Sequence, residues 1–589
     1  MVSIVAICLP AVILTVVREH LMESKKDLKN SVASYLISLV MLNFFMLAIM
    51  VFVFKDEGSL TEELNTYNSF AFKYLAMSLF IAFGEPFLEK WIREGNLCVV
   101  LPKRRHKFTH WRAVIWIYAL VMFGLYFIRI FENSFWGDEG FTIKLAKMSV
   151  AEMMMTTAND VHPPLYYLIM QIFCRIFGFN SIVYHLVSII PYGLILILSM
   201  TVVWKWLGKE TAAVMITCSS LLTSAINNIM DVRMYSWAAL FVLLSFLSLY
   251  KILCDNRVKD YAIFVIVSLA AAYTHYYCLI SVTFFYIVLI LVAIIKEHKR
   301  IFRVAITCIA TIIGYLPWFF VLLKTFQRTS DNYWLEGIAT FKESFYYLFC
   351  SKYQEILAII FLIMVIVYLL WASSIVKIGC NSKMFPKITI DLSNPKINTE
   401  MIWVLAGCLS IFGTMGIGIG VSIIFRPMFQ IKYLFPVATV AWIILGVCVS
   451  KLKLKKFISL CLIAIILLSG IPQYYLTCTF ERDANEGLTT TLNTISTQIQ
   501  EGDQILTDWD HIDWTIADVY YPGVKHQMLT EATYEELDKN LTYWAILMSD
   551  MNEEMKTVFT DKGFSCECVV DRGNMGLRTV WVYRISGKI

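Results

Sequence analysis

Long apolar runs separated by short polar connections dominate the chain. They fall near residues 4–17, 31–54, 70–88, 112–131, 182–207, 211–230, 236–254, 260–279, 280–295, 302–323, 355–378, 400–424, 433–450 and 457–476. Most approach the ~20 residues that a helix rising ~1.5 Å per residue needs to cover ~30 Å of hydrocarbon, where every backbone amide must be satisfied internally. The pattern predicts an α-helical polytopic membrane protein of about 11–14 transmembrane helices. The first run is short and its charges, Arg18, Lys25, Lys26 and Lys29, follow it. That is the reverse of a cleavable signal peptide, so it is read as a membrane segment.

After residue 480 the periodicity changes. Stretches 504–507, 526–529, 541–548, 566–570 and 579–584 read as short strands, with helix-like pieces at 533–540 and 552–560 and a linker or first helix at 487–502. A small α/β domain outside the membrane is expected. The predicted organisation is therefore 1–110 for N-terminal extra membrane helices, 111–480 for a membrane core, and 481–589 for the C-terminal domain. No internal repeat or low-complexity segment interrupts it.

Composition supports this reading: 58% of residues are hydrophobic, 16% are charged, and the mean hydropathy is +0.65. The 15 cysteines lie mostly inside apolar runs, where they act as small hydrophobes. Cys566 and Cys568 would share one face of a strand, as two unpaired thiols. Charge is divided unevenly. After residue 480 there are 19 acids and 9 bases, a balance of −10, which leaves +15 for the remainder of a net +5. Lys and Arg gather at 18–29, 90–107, 205–209, 296–300 and 451–456, which the positive-inside rule makes cytoplasmic. The intervening loops then face outward: 56–63, those around Asp138 and Asp231, 324–352, 426–432, and everything after Leu476. The stretch 165–179 is too short for a comfortable span. Making it one would place Lys205 and Lys209 outside, so it is read as a juxtamembrane helix.

Five polar elements meet on the outer side under this topology. Asp138 and Glu139 follow the run 112–131, and a low-dielectric neighbour raises a carboxylate's pKa and favours proton acceptance; Asp138 reads equally as a helix N-cap. The stretch 141–158 has helical periodicity and leads to Asn159-Asp160-Val161-His162-Pro163-Pro164, where paired prolines fix the start of the next helix. His162 alone would suit a structural role. Asp231, Arg233 and Tyr235 end the run 211–230; an acid and a cation at that depth pair with each other or line a polar cavity. Arg426 and Lys432 suit a phosphate, or lipid headgroups. His275, Tyr276 and Tyr277 read as a further polar cluster or as an aromatic belt.

An acidic pair just after a span, followed about 20 residues later by Asp160-Val161-His162-Pro163-Pro164-Leu165, resembles the protein O-mannosyltransferase family and its bacterial relatives, including the aminoarabinose transferases that modify lipid A. Residues 231–235 and 426–436 are similar to later family motifs, with Lys432 where an arginine is commoner. The resemblance spans roughly 110–480 and implies a GT-C fold. The absence of a large β-trefoil insertion argues against a eukaryotic protein mannosyltransferase, and that of a Trp-Trp-Asp motif against an oligosaccharyltransferase.

The implied activity is inverting sugar transfer from a polyprenyl-phosphate donor to an extracytoplasmic acceptor, at a bacterial plasma membrane. Asp138 matches the family's catalytic acid, with Glu139 beside it. Arg426, Lys432 and Arg233 would bind the donor phosphate, and Asp160, His162, Asp231, Tyr235 and His275 would orient the acceptor or support the base. No cofactor is firmly implied; relatives sometimes bind a divalent ion, but no ligand spacing here demands one. No nucleic-acid partner is expected. A transporter or lipid flippase is the rival, with Asp231, Arg233 and His275 lining a path; it requires ionisable groups near mid-depth, whereas these sit at run ends. A scaffold or sensor with a ligand-binding tail is a third reading.

Overall fold

The computed structural model describes residues 111–589 apart from 332–334, 380–386, 391–396, 453–455, 576–577 and 588–589. The expected spans at 4–17, 31–54 and 70–88, and the basic loops among them, lie outside the described residues.

Helix α1 (Trp111–Phe127) continues through a 3-10 turn to Phe131. Three short helices follow on one side: α2 (Gly137–Lys147), α3 (Val150–Ala158) and α4 (Leu165–Phe177), before the long α5 (Ser181–Leu207) descends. Then come α6 (Lys209–Leu221), α7 (Thr223–Ile229), α8 (Tyr235–Asp255), α9 (Val258–Thr274), α10 (Tyr276–Ile295), α11 (Ile301–Asp331), α12 (Phe341–Tyr347) and α13 (Gln354–Ala372). A β1–β2 hairpin (Val376–Gly379, Lys387–Ile390) leads to α14 (Thr399–Ile424), α15 (Phe435–Lys451) and α16 (Lys456–Ser496).

Among the described residues, nine helices are long and apolar enough to cross a membrane, and α6 with α7, bent by 64° at Leu222, makes a tenth. Helix α9, with 17 residues, runs back alongside α8. It follows α8 after a two-residue turn, and the rings of Tyr235 and His275, at the far ends of the two helices, lie 5.9 Å apart, so α9 returns over the thickness that α8 descends. The same reasoning places α4 alongside the membrane. His162 precedes it on the site side; after it, His185 of α5 binds the Glu132 carbonyl at 3.1 Å and stacks on Phe135, so both ends of α4 stay on that side. Its buried Tyr166, Tyr167, Met170, Gln171 and Cys174 form one stripe, and Gln171 donates to the carbonyls of Leu145 in α2 and of Met148 just after it.

Helix α15 is the axis of the bundle, buried at every position from Phe435 to Val449, whereas α11 turns many large apolar side chains, among them Ile309, Ile312, Ile313 and Phe320, outward. Close approach explains part of this: a Cβ on Gly446 of α15 would meet the Thr211 Cα of α6 at 2.9 Å.

Beyond residue 496 lies a five-stranded sheet ordered β4-β3-β5-β7-β6, with β3 (Gln504–Thr507), β4 (Lys525–Met528), β5 (Tyr543–Leu547), β6 (Phe564–Met575) and β7 (Arg578–Gly587). Strands β3, β4 and β5 run parallel and β7 and β6 antiparallel; β3 and β5 are buried at every position, as expected of central strands. Helices α17 (Asp510–Thr515), α18 (Glu531–Glu536) and α19 (Glu553–Asp561) flank the sheet. Helix α16 runs without a break through residue 480, so the membrane core and the tail share one rigid element of 41 residues. Cys566 and Cys568 lie on β6, and neither is in a disulfide.

Candidate active site

Trp136 caps α2 with its backbone, and Glu139 accepts the Trp136 N–H at 3.0 Å, which fixes the first turn in which Asp138 stands. Asp138 is therefore not the N-cap that its sequence context also allowed. Its carboxylate faces two cations, Arg233 Nε at 3.9 Å and Lys432 Nζ at 3.9 Å, with its side chain 23% exposed. These cations come from the start of α8 and from the 3-10 turn before α15. Of the two arrangements the sequence allows for Asp231 and Arg233, mutual pairing is not the one seen: Arg233, 4% exposed, turns toward Asp138, donating to its carbonyl at 3.0 Å and lying 3.4 Å from both Thr142 Oγ1 and Tyr167 OH. Asp231 instead accepts from Trp136 Nε1 at 3.1 Å.

Glu139 is buried, and its second oxygen accepts the Val232 N–H at 2.7 Å. One carboxylate thus ties the 136–139 turn to the 231–233 segment. Burial, and then nearby Asp231, pushes its pKa well up. Burial likewise raises Asp231, to about 6, against the opposing pull of Arg233 and Lys432, and raises Asp160. The Lys432 ammonium sits over the rings of Trp136, 5.3 Å from its centroid, and Tyr235, at 5.6 Å.

His162 and His275 stand side by side, ring centroids 5.3 Å apart, each within about 6 Å of the Tyr433 ring at 6.3 and 5.0 Å. Burial, with Arg233 and Lys432 adding to it, pushes His275 down to about 3 and His162 well below the ordinary histidine range, so both are neutral. They close the inner end of a cavity of about 210 Å³ that opens between α10, α11 and α14, lined by apolar residues such as Ile280, Leu322, Phe326, Ile417 and Val421. The Asp160 carbonyl accepts from Arg328 of α11 at 2.9 Å. Arg426, half-buried, lies in the 425–430 segment, which contributes Met428 to the cavity wall.

The structure thus brings Asp138, Glu139, Asp231, Arg233, Tyr235 and Lys432 into one cluster, with Asp160, His162 and His275 beside it. Among the described residues no group of three His, Cys, Asp or Glu is arranged to hold a metal ion. Sequence reasoning missed the tail's part. Tyr520 OH accepts the Phe135 N–H at 2.9 Å and donates to the Asn133 carbonyl at 3.1 Å; Asn485 accepts the Asn133 N–H at 2.9 Å; and Glu481 pairs with Arg129. Trp514 lies 4.9 Å from Phe141, and a Cβ on Gly140 would meet the Thr515 N at 2.9 Å. Nothing in local periodicity signals these contacts.

No protein-family model and no curated protein matches the chain. Two crystal structures of ArnT from Cupriavidus metallidurans do. One, in the apo state, has 13% sequence identity, covers 81% of this chain and 98% of its own, and has a TM-score of 0.52. The other, bound to undecaprenyl phosphate, has 11% identity with the same coverage and a TM-score of 0.52. The chain has the GT-C fold. In this GT-C fold the α2 turn, the α8 start and the segment before α15 converge on one end of the bundle, and the small sheet domain closes over that end.

Proposed function

We propose that this protein is an inverting glycosyltransferase that moves a sugar from a polyprenyl-phosphate donor to an extracytoplasmic acceptor. The observation that carries the reading is a half-buried carboxylate, Asp138, flanked by two cations at 3.9 Å beside an apolar cavity between membrane helices. ArnT, whose fold it shares, has been crystallised with undecaprenyl phosphate.

In this mechanism the Asp138 carboxylate takes the proton of an acceptor hydroxyl as its oxygen attacks the anomeric carbon. The bond from that carbon to the phosphate oxygen breaks, the anomer inverts, and the lipid phosphate leaves with the bonding electrons. A phosphate is a good leaving group that needs charge stabilisation more than protonation, and Lys432 and Arg426 supply it. Arg233 acts from behind Asp138 and orients it, a different task from phosphate binding. Glu139 holds the turn. Asp231 and Tyr235 hold the aromatic box around Lys432, and Asp160 and His162 stand at the α4 start. The charged groups lie at helix ends, which favours this reading over a transport path through mid-membrane.

The test is Asp138→Asn in the purified protein, with undecaprenyl-phosphate sugars as donors and release of undecaprenyl phosphate as readout. Loss of turnover by about 10²–10⁴-fold, with donor binding retained, is expected. Wild-type turnover in that variant would remove the mechanism.

A further inference from the structure

The chain is extended on either side of Ser134, with Glu132 and Trp136 both in the β region, and extended residues alternate in the side they face. Asn133 and Phe135 line a cavity of about 350 Å³, whereas Ser134 and Trp136 line one of about 200 Å³ that Glu139 and Asp231 share. The larger cavity is a groove between core and tail. The core adds Phe179, Asn180 and Tyr184, around the start of α5, and the tail adds Thr489, Asn493 and Tyr520. On α16, Asn485, Thr489 and Asn493 follow one another at four-residue steps, about 6 Å each, along one face. Leu488 and Ile495 of the same helix are buried in the tail's own core. Asn133 and Thr489 also line a more open hollow of about 560 Å³, which lengthens the groove along α16.

The lining selects the class of ligand. Among the described residues it includes one cation, Lys147, and no carboxylate, so neither a cation nor a multiply charged anion finds its complement there. The acidic tail opposes an anion further. Its polar part is mostly amides and hydroxyls. An amide both donates and accepts, as the hydroxyls of a sugar do. Phe179, 45% exposed, adds a ring face against which the C–H side of a sugar can lie. A lipid chain would leave the amides without partners. A peptide adding as a strand needs open backbone groups on the 132–136 stretch, but the N–H groups of Asn133, Phe135 and Trp136 already go to Asn485, Tyr520 and Glu139, and the Asn133 carbonyl accepts from Tyr520.

We propose that the groove between core and tail binds a neutral oligosaccharide. Trp136, which leads to Asp138, faces the other cavity, so the groove touches no reacting atom and holds a glycan by units remote from any accepting hydroxyl. Such a site stands independently of the transferase chemistry and would anchor a long acceptor for it.

The experiment titrates the purified full-length protein calorimetrically with cellotriose, maltotriose, chitotriose and α-mannotriose, with trigalacturonate as the anionic comparison and trialanine as the peptide. Wild type should bind at least one neutral trisaccharide in preference to both comparisons. Asn493→Leu removes an exposed amide where leucine is a good helix former. Asn180→Asp keeps the oxygen that caps α5 at Val183 and removes the N–H donors. Phe179→Ala removes the ring, and Phe179→Trp restores one. The first three should each weaken binding about five- to thirtyfold, and Phe179→Trp should stay within about threefold of wild type. The bound trisaccharide should also slow tryptic cleavage of the wild-type tail, since it touches tail and core together. Absence of binding to every neutral trisaccharide at about 20 mM overturns the proposal. So does undiminished binding in Asn493→Leu, Asn180→Asp and Phe179→Ala, or a preference for trigalacturonate or trialanine. Undecaprenyl phosphate is titrated into the same samples and should bind all variants alike. Loss of saccharide binding in wild type that still binds the lipid overturns the groove alone, and the converse counts against the transferase reading while the groove stands.

Discussion

Replacing Tyr520 by Phe removes one hydroxyl, located in the tail, and should slow the proposed reaction without weakening donor binding. That hydroxyl accepts the Phe135 N–H at 2.9 Å and donates to the Asn133 carbonyl at 3.1 Å. Phe135 is 1% exposed, so its N–H has no route to water once the partner is gone, at a cost of about 1–3 kcal/mol. The Asn133 carbonyl belongs to an exposed residue and can turn to solvent. The loss is too small to unfold a bundle of this size and is confined to the strand-like stretch that leads into Trp136 and Asp138. A shift of about 1 Å in a reacting group costs up to about 10²-fold in rate. The expected result is kcat reduced by about 10- to 100-fold and donor affinity within about threefold of wild type, because Lys432 is held at the start of α15, away from the tail. Turnover is read as release of undecaprenyl phosphate and affinity by direct titration. Wild-type kcat in a folded Tyr520→Phe protein would refute the claim that the tail positions the base, and equal losses in kcat and affinity would show a general loosening.

Other expectations follow from the same contacts. Glu139→Ala leaves the buried N–H groups of Trp136 and Val232 unpaired and should cost about 2–5 kcal/mol, read as a lower thermal midpoint than Glu139→Gln, which keeps one acceptor oxygen. Asp231, with a pKa raised to about 6, is disfavoured when charged, so wild-type stability should fall as pH rises from about 4 through about 6. The loss is about 1–3 kcal/mol for this half-buried group, and Asp231→Asn should lack it; parallel pH profiles would contradict this. Gly140→Leu has no space against Thr515, whose backbone N would lie 2.9 Å from the added Cβ, and should separate tail from core, seen as faster proteolysis of the tail.

The helices were legible because the bilayer demands length, and length is written in one dimension. The charge rule also put Asp138, Asp231, His275 and Lys432 on one face, and the positions of β3 and β5 could be read from short β-branched and aromatic runs. Partners were not legible. Asp231 and Arg233, two residues apart, read as a pair, but the backbone at the start of α8 sends one side chain to Trp136 and the other behind Asp138. Glu139 looked like a second reactive acid, while its burial and two backbone donors make it a strut. Tyr520 lies 385 residues from its partner Phe135, and no periodicity in either segment reports that contact.

Charge accounting then bears on how such a cluster could receive the anionic donor proposed above. Asp138, Glu139, Asp160 and Asp231 outnumber Arg233 and Lys432, and fully ionised they would repel a phosphodiester. Burial raises the pKa of Glu139, Asp160 and Asp231, which disfavours their charged forms, while Asp138 is the one with both cations at 3.9 Å. The nearer the three supporting acids come to neutrality, the closer the site moves to the single positive excess that one phosphodiester balances. The same burial that makes these three carboxylates expensive when charged therefore moves the site toward the charge that the proposed lipid-linked donor would balance.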